Sequence, residues 1–80
     1  MSTITLYTKP GCQPCRITAK KFSEAGIQYN TIDISQNAET LAYVTQVLGY
    51  QQAPVVVTDN GHWSGLDLEN INQTIFNHTK

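Results

Sequence analysis

The sequence is short of most features that mark a large, secreted, membrane-spanning or nucleic-acid-binding protein. Its 80 residues include two cysteines, one tryptophan, one methionine and three prolines. Eighty residues make one domain, so residues 1–80 are read as a single unit with no separate cofactor-binding module. A chain of this size buries only about 60–65% of its unfolded surface, so a large internal cavity is not expected and chemistry must sit near the surface. Charge of one sign is missing too. Five Lys and Arg against six Asp and Glu leave a formal net charge of −1, with no basic field to hold nucleic acid or an anionic membrane. The longest uninterrupted apolar run is Val55-Val56-Val57, extended by Ala53 and Pro54, far below the roughly 20 residues of a spanning helix. Met1 to Tyr7 lack the positive stretch and apolar core of a secretion signal, so a cytoplasmic protein is expected. With 40% hydrophobic residues, the chain has enough apolar material to fold rather than stay disordered.

What is present is a regular alternation of strand and helix signals. Thr3 to Thr8 alternates Ile4 and Leu6 with Thr3, Thr5 and Tyr7 and stops at Lys9-Pro10-Gly11, a first strand. Gln13 to about Ala25 reads as a helix with Ile17, Ala19, Phe22 and Ala25 on one face and Gly26 at its end. Ile27 to Ile34 gives a second strand. Ser35 and Asn37 are both suitable N-caps for a helix carrying Leu41, Val44, Thr45 and Leu48, which Gly49 ends. Val55-Val56-Val57 suits a strand buried on both faces, and Asp59-Asn60-Gly61 is a hairpin turn returning through His62, Trp63 and Ser64. Asp67 then caps a last helix with Leu68, Ile71 and Ile75 inward. The order β-α-β-α-β-β-α predicts an α/β fold, a four-stranded mixed sheet with helices on both faces. Its first strand-to-helix loop falls at the carboxyl edge, where such sheets bind ligands.

That loop holds both cysteines, in Lys9-Pro10-Gly11-Cys12-Gln13-Pro14-Cys15-Arg16. Cys12 falls at the helix N-terminus, where unpaired N–H groups and the positive end of the dipole favour thiolate. A thiolate attacks disulfides and is also the better leaving group when the bridge reopens. Cys15, one turn further in, is expected to be more buried and suits the resolving role. Pro14 fits the first helical turn, where its missing N–H has no intrahelical acceptor. Lys9, Arg16, Lys20 and Lys21 precede every acidic residue, which suggests a positive rim around Cys12, although Lys20 and Lys21 are equally readable as a solvated helix face. As a structural staple the pair is poorly placed, since so short a loop removes only about 2 kcal/mol of chain entropy. Zinc needs four ligands, and the two histidines, His62 and His78, stand at no finger spacing, so no metal site is assigned. A metal or iron–sulfur carrier using both thiolates is the reading from a different class. His62 reads as a solvated turn residue, and Trp63 as either core or exposed docking surface.

Three segments carry a family resemblance over residues 4 to about 71: Tyr7-Thr8-Lys9-Pro10-Gly11-Cys12-Gln13-Pro14-Cys15, Leu48-Gly49-Tyr50-Gln51-Gln52-Ala53-Pro54-Val55-Val56-Val57, and His62-Trp63-Ser64-Gly65. In order and separation they are similar to the thioredoxin-fold proteins called NrdH-redoxins, which are glutaredoxin-like in sequence. The resemblance implies a monomeric thioredoxin-fold redoxin that takes electrons from thioredoxin reductase and reduces class Ib ribonucleotide reductase. It implies no cofactor beyond a redox-active Cys12–Cys15 disulfide. It also implies a cis Pro54 facing the dithiol, with the backbone of Ala53 pairing with an extended substrate segment. The implied partner surface comprises Lys9, Gln13, Pro14, Ala53, Pro54, Trp63, Ser64 and Gly65. The chain departs from the family in placing Leu66-Asp67-Leu68 where phenylalanine-arginine-proline is usual. Asp67 resembles an aspartate with which glutaredoxins hold glutathione, so a glutathione-dependent glutaredoxin is the alternative reading.

Overall fold

The alternating segment near the N-terminus forms strand β1 (Thr5–Thr8) in a computed structural model that describes residues 4–79. The proposed Thr3 start lies outside the described residues. Helix α1 (Gln13–Glu24) follows, then β2 (Asn30–Asp33), a short 3-10 turn (Ile34–Gln36) and helix α2 (Ala38–Ala42), which runs on as a π-helical turn (Tyr43–Val47). The chain ends with β3 (Val55–Thr58), β4 (Gly61–Ser64) and helix α3 (Leu68–Thr79). The sheet order is β2-β1-β3-β4, with β1 parallel to β2 and antiparallel to β3, and β3 antiparallel to β4. This is the mixed α/β architecture expected from the sequence.

Helices cover both faces. On one, Ile4, Leu6, Val56 and Trp63 pack with Phe22 of α1 and Ile71 of α3; on the other, Tyr7 and Val55 pack with Val44 of the π-helical turn. Val55 and Val56 are fully buried on opposite faces, as a two-sided strand requires, while Val57 is half-buried near the hairpin end.

The buried stripe of α1 is Cys15, Thr18 and Phe22; Phe22, Ala19 and Ala25 pack on the core as expected, whereas Ile17 is 40% exposed. Thr18 is tolerated inside because its hydroxyl donates to the Pro14 carbonyl at 2.9 Å, so burial leaves no group unpaired. α1 ends as expected at Gly26, whose φ of +73° suits glycine. The N–H of Gly26 reaches the Ser23 carbonyl and that of Ile27 the Phe22 carbonyl, a Schellman closure that puts Ile27 against Phe22 in the core. That closure shortens β2 at its start, because Ile27 is still turning off the helix. At the other end Asp33 accepts from the Ser35 N–H at 2.8 Å and draws Ile34 into the 3-10 turn.

Of the two candidate caps for α2, Asn37 holds the position, accepting from the Glu39 and Thr40 N–H groups. Leu41 is 44% exposed, and Leu68, expected on the inward face of the last helix, is 48% exposed. α2 and its π-helical extension dock through Val44 and Leu48, while Leu68 is the first residue of α3, which docks through Ile71 and Ile75.

Candidate active site

The register places three segments along one edge of the sheet. Tyr7 pairs with Val55 and Val55 with Ser64, so the end of β1, the start of β3 and the end of β4 lie side by side. The cysteine loop, the segment ending at Pro54 and the loop after Ser64 therefore converge. Gly65 donates its N–H to the Pro54 carbonyl at 2.8 Å, tying the second and third segments together. The Ala53–Pro54 peptide is cis, and Pro54 is buried.

Gly11, with φ +71°, turns the chain off β1 and delivers Cys12 to the N-cap of α1. The Cys12 sulfur accepts the Cys15 N–H at 3.2 Å, which is the bond a capping serine or aspartate would make. The Cys12 carbonyl accepts from the Arg16 N–H, so the residue starts the helix with both side chain and backbone. A disulfide joins Cys12 and Cys15, whose Cα atoms are 5.2 Å apart. Exposures of 6% and 4% make the two cysteines almost equally buried, so the expected contrast in burial is nearly absent. What separates them is position on the helix. Only Cys12 faces an amide donor and the dipole's positive end, and no acidic residue in the first turn offsets either.

A depression of about 280 Å³ opens beside the disulfide, lined by Thr8, Lys9, Pro10 and Arg16 among others. A groove of about 180 Å³ adjoins it through Lys9, which lines both, and includes Tyr50, Gln52 and Ala53. Lys9 and Arg16 are exposed on the rim and form its positive charge. Lys20 and Lys21 lie eight and nine residues along α1 from Cys12, about 12–13 Å of helical rise, which exceeds the screening length of about 8 Å at physiological salt. They belong to the helix surface, with Lys21 suitably placed in its last turn.

The proposed partner surface divides under this geometry. Lys9 and Gln13 are exposed; Pro14, Ala53, Ser64 and Gly65 are half-buried at the same edge. Trp63 is 9% exposed and sits in the core opposite Val56, so of its two possible roles the structure shows packing, and it is withdrawn from the docking surface. His62 is exposed but not unattached, its Nδ1 lying 2.8 Å from the Tyr50 hydroxyl. Thr8 and Gln52 were not singled out from the sequence. Thr8 lines the dithiol depression, and Gln52 stands against Gly65, 3.6 Å from where a side chain there would begin. Thr8 was legible as the last alternating residue of a strand, and both it and Gln52 fall within the segments that carry the family resemblance. On the sheet face covered by α2, burial and the nearby Tyr43 raise the Tyr7 pKa, so this phenol stays neutral beneath the site. Among the described residues, no three His, Cys, Asp or Glu side chains gather as metal ligands, and no helix is long and apolar enough to cross a membrane.

The family model for glutaredoxin matches residues 4–63. The chain belongs to the glutaredoxin family. Within it the chain is NrdH-like. It is 34% identical over 62 residues to the glutaredoxin-like protein NrdH of Lactococcus lactis, covering 78% of this chain and 85% of that one. The solved structure of NrdH-redoxin from Escherichia coli superposes with a TM-score of 0.81 at 30% identity, covering 89% of this chain and 92% of that one. The chain is also 46% identical over 56 residues to the gene 56 protein of Mycobacterium phage L5; the match takes in 70% of this chain and spans 54% of the phage protein. The Cys12–Cys15 pair thus stands at the sheet edge of a glutaredoxin-family domain.

Proposed function

We propose that this protein reduces disulfides in partner proteins, with Cys12 as the attacking thiolate and Cys15 as the resolving thiol. The observation that carries the assignment is the bond from the Cys15 N–H to the Cys12 sulfur, which favours negative charge on that sulfur and not on the other. In the dithiol form, Cys12 thiolate attacks one sulfur of the partner's disulfide, and the departing partner thiolate takes up a proton. Cys15 then loses its proton and attacks the Cys12 sulfur of the mixed disulfide, expelling the second partner thiolate. Two electrons pass to the partner, whose two thiolates take up one proton released by Cys15 and one from solvent, and the Cys12–Cys15 disulfide is left, as found here.

The electron path proposed is from thioredoxin reductase to class Ib ribonucleotide reductase in the cytoplasm. Membership in the NrdH-like group supports it, as does the E. coli NrdH-redoxin, described as having a thioredoxin-like activity profile. Asp67 has a structural role that needs no glutathione. Its Oδ1 accepts the Asn70 N–H at 3.1 Å and its Oδ2 the Asn70 side-chain amide at 2.8 Å, so both oxygens are engaged in capping α3. Coupling NADPH oxidation to disulfide reduction through purified thioredoxin reductase should support turnover, whereas glutathione with its own reductase should not. Turnover with the glutathione system alone would end this reading.

The capping role gives a separate expectation. Asp67→Ala should cost about 1 kcal/mol, lowering the melting temperature by roughly 4–8 °C, while reductase-coupled turnover is unchanged. A variant of undiminished stability that loses glutathione-linked turnover would return Asp67 to a ligand-binding role.

A further inference from the structure

At the opposite end of the sheet from the dithiol, β4 and α3 border a cavity of about 220 Å³. The β3–β4 hairpin turn lies there, and the four residues of β4 span roughly 10 Å between it and the edge that carries the cysteine loop. None of the residues lining this cavity is Lys, Arg, Asp or Glu. Its walls carry instead the carboxamides of Asn70, Gln73 and Asn77, together with Trp63 and His78. Two covered polar atoms belonging to these residues have no hydrogen-bond partner among the described residues: the Trp63 Nε1 and the His78 Nε2.

An indole N–H only donates. The His78 Nδ1 lies 2.9 Å from the Thr74 carbonyl, which can only accept, so Nδ1 donates, and Nε2 is an acceptor when the ring holds a single proton. The lining residues thus include one unmatched donor and one unmatched acceptor, both covered, among amides that each offer both. Unmatched buried polar groups are rare in folded proteins and call for an explanation.

We propose that this cavity binds a small, neutral, planar heterocycle whose edge carries an acceptor beside a donor, the pattern found on a purine or pyrimidine base. The acceptor takes the Trp63 N–H and the donor meets His78 Nε2. Carboxamide side chains pair with such edges through two hydrogen bonds at once, as Asn and Gln do with adenine. A charged ligand finds no counter-charge here. The volume falls below the roughly 300–1,000 Å³ of drug-sized sites, which admits a single ring system rather than a peptide. Gln73 and Asn77 are exposed and joined by a long 3.4 Å hydrogen bond, so they form a rim that an incoming ligand displaces to reach the covered atoms. The site does not depend on the dithiol chemistry.

Trp63 is the sole tryptophan, so its emission and its indole N–H resonance report on this site alone. Titrating the full oxidised chain with free adenine, cytosine and uracil, each to about 5 mM, should produce a saturable change with at least one base and a downfield shift of the indole proton. The dissociation constant expected for a ligand of about ten heavy atoms is on the order of 1 mM. His78→Ala should weaken binding about tenfold, and Gln73→Ala severalfold, with the rate of disulfide reduction unchanged in both. The proposal is overturned if neither signal saturates with any base, or if both variants bind as the parent chain does.

Discussion

Replacing Cys12 by serine is expected to abolish disulfide reduction to the background rate, whereas replacing Cys15 by serine should leave the first step intact and stop the second. The asymmetry follows from the helix N-terminus. The Cys12 sulfur accepts an amide N–H and no acidic side chain stands in the first turn, so the charge needed for attack is favoured at residue 12. A serine hydroxyl there keeps the hydrogen bond but is no nucleophile toward disulfides. Cys15→Ser should accumulate a mixed disulfide between Cys12 and the partner, released by dithiothreitol and visible by mass spectrometry of the unreduced sample. Capture of the partner through Cys15 in the Cys12→Ser protein would invert the two roles. The same experiment separates exchange chemistry from a metal-carrier role, which predicts no trapped intermediate.

Phe22→Ala is expected to cost about 3–5 kcal/mol, the usual range for emptying a buried aromatic position. Phe22 has no exposed surface, packs in the cluster beneath the sheet and meets the Tyr29 ring at 5.7 Å. At roughly 0.05–0.15 kcal/mol per residue, an 80-residue chain has only about 4–12 kcal/mol in total. The variant should therefore lose about a quarter or more of that total, and be largely unfolded at the low end of the range. Urea denaturation followed by far-ultraviolet circular dichroism measures the loss, and a cost below about 1 kcal/mol would mean that the core collapses readily around the missing ring. Phe22 and Cys15 share the buried stripe of α1, so activity should fall in step with the folded fraction, unlike the Cys12 variant, which loses activity while folded.

Much of the fold was legible because local chemistry and tertiary structure agree. Gly26 ends α1 and Asp67 caps α3, each through a residue type whose backbone preference or side-chain acceptor is used on the spot, and Gly61, with φ +145°, follows the turn that joins β3 to β4. The cysteine loop was legible for the same reason, since Cys12, Pro14 and the preceding Gly11 each fit one position of a helix start. What escaped was settled over longer distances. Thr18 reads as polar, yet it is buried because its own helix satisfies it. Trp63 was equally compatible with core or surface until strand register set it opposite Val56. A period of 3.6 has no way to announce the π-helical turn at Tyr43–Val47, where the wider winding holds Val44 over Val55 while Val47 stands 70% exposed. Gln52 joins the site only because two loops distant in sequence meet at Gly65.

The capping role of Cys12 sets stability and chemistry against each other at one atom. Serine, aspartate and asparagine are the preferred residues at a helix start, and sulfur is a weaker acceptor than oxygen. Selection for a firmer α1 would therefore favour the substitutions that silence the centre, so in the dithiol state the working protein keeps a helix end that is deliberately under-secured. Libraries screened for thermal tolerance alone should drift toward oxygen at residue 12 and return well-folded, inert proteins.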